Sequence, residues 1–177
     1  MTSIDDEQLI NKIKTNVISL IQNRDYSSIE DKDEYIKCIN NDGKCVYIFL
    51  FNNEKLNING IKEFVTVLEE DNISNSIIIF KKDITSSAKK FVTGLVDTIN
   101  IELFEFKEMM YNLTKNKFYN RHERLDQKDS AQFISTYGKD LPVLLKTDIV
   151  VRYFNFQKGD IIRIHRNNGT ISYRIVK

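Results

Sequence analysis

Two short runs carry the residue types of a divalent-metal site. Asp42-Gly43-Lys44 and Glu30-Asp31-Lys32 each place a lysine within two residues of an acid, the combination with which metal-dependent nucleases hold Mg²⁺ and activate water. That chemistry needs its acids at the ends of adjacent strands. Here Asp42-Gly43-Lys44 reads as a glycine turn ahead of a strand, Glu30-Asp31-Lys32 as part of a charged loop, and the apolar run Val46–Phe51 contains no acid. Neither catalysis nor a bound metal or cofactor is expected. His122 and His165 stand apart from any Ser or Cys nucleophile motif, and the six glycines are scattered singly, with no phosphate-loop or dinucleotide pattern. Cys38 and Cys45 flank an Asn-Asn-Asp-Gly segment without a nearby histidine, so two free thiols are expected where a structural zinc site needs about four ligands. One run is better suited to binding. Thr85-Ser86-Ser87, with Lys89 and Lys90, would give a helix start hydroxyls, free backbone N–H groups and ammonium groups for a phosphate. The same residues also make an ordinary helix cap beside a solvated lysine pair.

The elements that must position these residues follow from periodicity. Leu9, Ile13, Val17, Leu20 and Ile21 recur at helical spacing over 5–23, led by Asp5-Asp6-Glu7 at the positive end of the helix dipole. A charged loop is expected next, then Val46–Phe51 as a strand buried on both faces. Ile61, Phe64, Val65 and Leu68 predict a second helix and Ser76–Phe80 a second buried strand. A third helix opens at Thr85, with Phe91, Val92, Leu95 and Val96 on one face. Ile99 to Phe106 alternates like a half-buried strand, and 112–126 reads as a polar connector. Beyond it, a helix is expected around Asp129–Tyr137. The only proline, Pro142, marks a strand start after Leu141, and Asp148 suits the cap of a helix over 149–154. Lys158-Gly159-Asp160 turns into a strand with Ile162 and Ile164 on one face, and Asn167-Asn168-Gly169 is a hairpin turn to an antiparallel return over 171–176.

These elements predict an α+β chain of two domains. The first is a helix–sheet–helix sandwich over 1–117, and the second is a small mixed β-sheet with short helices over 118–177. The 177 residues and 41% hydrophobic content suffice for both cores. The acidic N-terminus lacks a secretory pattern, and the longest strongly apolar run, Cys45–Phe51, is far too short to span a bilayer. A soluble intracellular protein without a membrane partner is expected. Residues 1–71 hold 8 basic and 14 acidic side chains, while 141–177 hold 7 and 2, so the two ends should prefer different partners. Lysine outnumbers arginine 19 to 7, a bias that AT-rich codons produce.

The stretch from Asp140-Leu-Pro through Thr147-Asp-Ile-Val-Val-Arg-Tyr153 and Lys158-Gly159-Asp to Ile164-His-Arg166, closed by Tyr173-Arg174, resembles one family. It is the fifth subunit shared by eukaryotic nuclear RNA polymerases, which has a small counterpart in the archaeal enzyme. Phe118-Tyr-Asn-Arg-His122 is similar to the segment that opens that family's assembly domain, and Ile84-Thr-Ser-Ser-Ala-Lys89 to a segment of its eukaryotic jaw domain. The chain departs from the pattern at Ile149 and Ser86, which replace prolines, at Val143, which replaces a basic residue, and in the shortened turn at Asn167-Asn168-Gly169. These departures suggest a diverged, viral version.

The resemblance implies a noncatalytic polymerase subunit with an inactive, nuclease-like jaw. It implies that His122, Leu141, Pro142, Asp148, Arg152, Tyr153, Lys158, Gly159, Arg166, Tyr173 and Arg174 serve docking on the largest and other polymerase subunits. It also implies that Thr85, Ser86, Ser87, Lys89 and Lys90 lie near the backbone of downstream double-stranded DNA. Localisation would be the nucleus, or a viral factory and virion. The rival readings are a metal-dependent nuclease and a free-standing nucleic-acid-binding protein.

Overall fold

The computed structural model describes residues 4–32 and 34–177. Met1–Ser3 and the side chains of Ile4 and Asp5 lie outside the described residues, so the acidic lead-in is seen only from Asp6, which meets Lys81 at 3.6 Å. The chain divides into two compact units, Met1–Tyr111 and Asn112–Lys177.

The first unit opens with α1 (Ile4–Gln22), whose Ile13, Val17, Leu20 and Ile21 are all at most 1% exposed. The charged loop expected after it is instead a β-hairpin, β1 (Tyr26–Asp31) and β2 (Ile36–Asn40), with Tyr26 opposite Asn40 and Asp31 opposite Ile36. Edge strand β1 gave no apolar alternation because only Tyr26 and Ile29 are half-buried and a bulge interrupts it between Tyr26 and Ser28. Then come β3 (Cys45–Phe51), β4 (Lys55–Leu56), α2 (Ile58–Glu70), β5 (Asn75–Phe80), β6 (Asp83–Ile84), α3 (Ser86–Gly94), β7 (Asn100–Glu105) and α4 (Phe106–Met109). The sheet runs β1-β2-β3-β5-β7, with the first three strands antiparallel and the last three parallel.

Two consecutive strand–helix–strand crossovers explain the parallel half: α2 and α3 return the chain over one face. Tyr47 and Phe49 from β3, Ile61 and Leu68 from α2, and Ala88 from α3 share that core. Burying Ile61 or Leu68 fully is worth about 2–3 kcal/mol each. Phe91, Val92 and Leu95 pack against it, but Val96, expected on the same face, is 63% exposed because α3 has ended at Gly94. Val46 and Ile48 alternate to the opposite face, where Ile10 of α1 lines a cleft with Ile48, Leu50 and Phe106. The pairs Cys38–Val46 and Ile39–Cys45 put the two thiols on opposite faces of the sheet, and both are free. The small pair β4–β6 lies outside this sheet.

The second unit begins earlier than residue 118. Asn112 caps a short 3-10 turn over Leu113–Lys115, and the Asn167 side chain donates to the Lys117 carbonyl at 3.4 Å, so 112–117 belong with the C-terminal strands. The polar connector expected over 112–126 also contains β8 (Arg121–Arg124), hidden from periodicity by its four polar residues. Next are α5 (Gln127–Tyr137), β9 (Val143–Leu144), α6 (Ile149–Phe154), β10 (Ile161–His165) and β11 (Ile171–Val176). The sheet order is β8-β10-β11-β9, antiparallel except for β9 beside β11. Ile162, Ile164 and Val176 form a core with Val151 and Phe156 on one face. On the other, Phe133 of α5 packs against Tyr173 with ring centroids 4.4 Å apart and the rings tilted by 38°. Among the described residues no helix is long and apolar enough to cross a membrane.

Candidate functional site

Folding separates the acids that a metal site would need. Asp42-Gly43-Lys44 is the exposed turn joining β2 to β3, with Gly43 at φ +78°, and the Asn40 carboxamide oxygen accepts the Asp42 and Lys44 amides. Of Glu30-Asp31-Lys32, expected in a loop, Glu30 and Asp31 close the far end of β1 and Lys32 follows it, about five residues or ~17 Å along the hairpin. There the Lys14 ammonium holds Asp31 at 2.8 Å and Lys32 meets Glu30 at 3.3 Å. Among the described residues, no three His, Cys, Asp or Glu side chains converge to hold a metal.

The start of α3 is built as a cap. The Thr85 N–H donates to the Leu56 carbonyl, fixing its approach, and its hydroxyl oxygen accepts the Ala88 N–H at 3.1 Å while lying 3.1 Å from the Ser87 hydroxyl. Buried Ala88 faces the core, which turns Ser86, Ser87, Lys89 and Lys90 outward. The first-turn amides of Ser86 and Ser87 have no partner among the described residues, as the opening turn of a helix requires. Half-buried Thr85 thus anchors the turn, and Ser86, Ser87, Lys89 and Lys90 form an exposed surface of hydroxyls, amides and two ammonium groups.

The docking residues expected from the family resemblance fall into three groups. Tyr153 is buried in α6, Asp148 caps that helix by accepting the Val150 N–H at 2.8 Å, and Gly159, at φ +93°, donates to the Val176 carbonyl; these three shape the fold. Lys158 and Pro142 are exposed, and half-buried Leu141 leads into Pro142, whose carbonyl accepts the Ile175 N–H at 3.0 Å. Arg152 is half-buried on α6. The third group surrounds His122. Expected in a connector, His122 lies on β8 with Nδ1 2.6 Å from the Asn120 carbonyl, so that nitrogen carries the proton. Burial pushes its pKa below the ordinary value. The Asn120 bond and Asp148 oppose that shift, while Arg166 and Arg174 reinforce it. Register sets His122 opposite Ile164 and Arg174 opposite Ile162, so both side chains take the face of Ile162 and Ile164. Arg166 donates to the Ser172 hydroxyl at 3.3 Å, and Arg174 to the Val143 carbonyl at 3.1 Å. Tyr173 alternates to the other face, beside Phe133 and 5.8 Å from the Arg163 guanidinium.

Residue patterns alone did not bring out the charged cluster on that other face. Glu123 meets His165 at 3.0 Å, Arg121 at 3.8 Å and Arg163 at 3.9 Å. The bond from His165, followed by the two guanidinium groups, holds its carboxyl below the usual range. The register Arg163–Glu123 and His165–Arg121 creates it, and strand β8 had to be recognised first.

Residues 111–176 match the family described as RNA polymerase Rpb5, C-terminal domain, a span that coincides closely with the second unit. The chain is 26% identical to DNA-directed RNA polymerase subunit 5-like protein 1 of Arabidopsis thaliana, over 96% of this chain and 95% of that protein. It is 29% identical to subunit RPABC1 of DNA-directed RNA polymerases I, II, and III of Caenorhabditis elegans, over 74% of this chain and 65% of that one. The Dictyostelium discoideum protein of the same description is 22% identical, over 97% and 99%. One domain is thus matched along nearly all of the second unit, and end to end the chain is similar to subunits of the RNA polymerase Rpb5 family.

Proposed function

We propose that this protein is a noncatalytic subunit of a multisubunit DNA-directed RNA polymerase inside the cell, in the nucleus. Its second unit anchors it to the largest subunit and its first unit stands beside downstream duplex DNA. The observation that carries the reading is the match of the second unit, over 111–176, to the Rpb5 C-terminal domain. The placement of His122, Arg166 and Arg174 on one face of the second sheet, in the same unit as exposed Lys158, supports docking there. For the DNA contact, the support is the exposed start of α3, where Ser86, Ser87, Lys89 and Lys90 offer donors suited to phosphate oxygens and carry no base specificity. Affinity purification of the tagged full chain from its native source, with identification of the co-purifying chains, tests the reading. Large polymerase subunits should be recovered in stoichiometric amount, and recovery should be lost on deletion of 112–177. Their absence from the full-length purification, or their retention after the deletion, would overturn it.

A further inference from the structure

The hydrogen-bond phase of β9 leaves one side of the second sheet open. The Pro142 carbonyl accepts the Ile175 N–H, the Leu144 carbonyl accepts the Lys177 N–H, and the Lys146 N–H donates to the Lys177 carbonyl. In a parallel ladder alternate residues point their backbone groups to the same side, so the even-numbered residues 142, 144 and 146 face β11. Val143 and Leu145 direct theirs outward. The Leu145 carbonyl accepts the Asp148 N–H, and the Val143 carbonyl accepts from Arg174, whose side chain reaches across β9 from β11. The outward amides of Val143 and Leu145 have no acceptor among the described residues. Both side chains are exposed, Val143 at 37% and Leu145 at 61%, and alternation puts them on one face.

The opposite edge differs. Strand β8 is Arg-His-Glu-Arg, its two arginines are exposed, and its outward His122 amide donates to the Tyr119 hydroxyl at 3.3 Å. Charged residues and an occupied amide discourage pairing there, whereas β9 and the following Leu145 have free donors, two exposed apolar side chains and no charge of their own.

We propose that the outer edge of β9, Val143 to Leu145, receives an extended acidic segment of another polymerase subunit as a fifth strand of this sheet. The inference rests on the polymerase reading and deepens it by naming the mode of docking. Main-chain pairing is how an open edge binds a partner segment. The chemistry of the occupant follows from charge: residues 112–177 carry 13 basic and six acidic side chains. The Arg174 guanidinium sits at the edge with further N–H groups, and Lys139 and Lys177 are exposed beyond its two ends. Carbonyl oxygens of the incoming strand meet the two amides, and its Asp or Glu side chains meet Arg174 and the flanking lysines.

Hydrogen–deuterium exchange on the full chain, free and in the polymerase purified through it, reads this edge directly. In the enzyme, the peptide spanning 141–147 should gain slow exchange at two further amides, each slowed roughly tenfold or more, the effect of one interfacial hydrogen bond. Val143→Pro removes an outward donor and leaves the bonds to β11 in place, so it should lower retention of polymerase subunits roughly tenfold, whereas Val143→Thr keeps the amide and should retain them. A polymerase that co-purifies normally while these amides exchange as in the free chain overturns the edge proposal and leaves the polymerase reading standing. Absence of polymerase subunits from the wild-type purification overturns both. Protection that appears in the chain alone and rises with its concentration assigns the edge to a second copy and overturns the proposal as well.

Discussion

Arg24 and Glu102, 78 residues apart in sequence, form a two-pronged ion pair with both N···O distances at 2.8 Å and the Arg24 side chain only 7% exposed. The pair ties the segment after α1 to strand β7. Removing one partner leaves the other charge poorly solvated, so Arg24→Ala or Glu102→Ala should cost about 3 kcal/mol, towards the lower end for a buried pair because Glu102 keeps some solvent contact. Urea unfolding of the full chain, followed by circular dichroism, measures it. A loss below about 0.5 kcal/mol, the range of an exposed pair, would show that the pair does not stabilise this unit.

Ser76 gives the opposite expectation. Its hydroxyl is 1% exposed at the start of β5, and the oxygen has no hydrogen-bond partner among the described residues. A polar group buried without a partner costs about 1–3 kcal/mol, so Ser76→Ala should be neutral or stabilising by about 1 kcal/mol. Destabilisation by more than about 1 kcal/mol in the same unfolding experiment would mean that the hydroxyl is satisfied in solution.

His122 sets a pH dependence in the second unit. Its pKa is lowered from the ordinary 6.5 mainly by burial, so the folded state favours the neutral ring. As pH falls below 6.5 the unfolded chain takes up the proton first, and stability declines until the pH passes below the folded value. Thermal melts between pH 8 and pH 5 should show this decline in the wild type and a smaller one in His122→Gln. Glu123, with its lowered pKa, loses its contribution only at pH below the ordinary carboxyl value of 4.5, so the two effects separate. Equal pH profiles for wild type and His122→Gln would remove His122 as the cause.

Lys89 and Lys90 test the proposed DNA contact. In the assembled polymerase, replacing both with alanine should weaken the grip on downstream duplex similarly for unrelated sequences. The slope of log affinity against log salt should fall by about one unit or less for each phosphate no longer neutralised. Unchanged affinity and slope would make these lysines a solvated face of α3.

The elements with a one-dimensional signature were legible in the sequence. Strand β3 announced itself by six consecutive apolar residues from Val46 to Phe51, α2 by the spacing of Ile61, Phe64, Val65 and Leu68, and α6 by Asp148 as its cap. The motif that identifies the second unit is likewise a contiguous run. What stayed hidden were strands whose stability comes from neighbours. β1 shows only two half-buried residues, and β8 consists of Arg, His, Glu and Arg, so neither buries an alternating apolar face.

Sequence by itself therefore determined the resemblance to one family, the main helices and buried strands, and the cap at Thr85, because each depends on residues a few positions apart. Only the tertiary structure decided that Cys38 and Cys45 lie on opposite faces, that Arg24 finds Glu102, that His122 and Arg174 share a face of the second sheet, and that Val143 and Leu145 turn their amides outward. Strand register decides which face a side chain takes and which way a backbone amide points, and a shift of one residue reverses both. That register is set by pairing between distant segments, whose energy no local pattern contains.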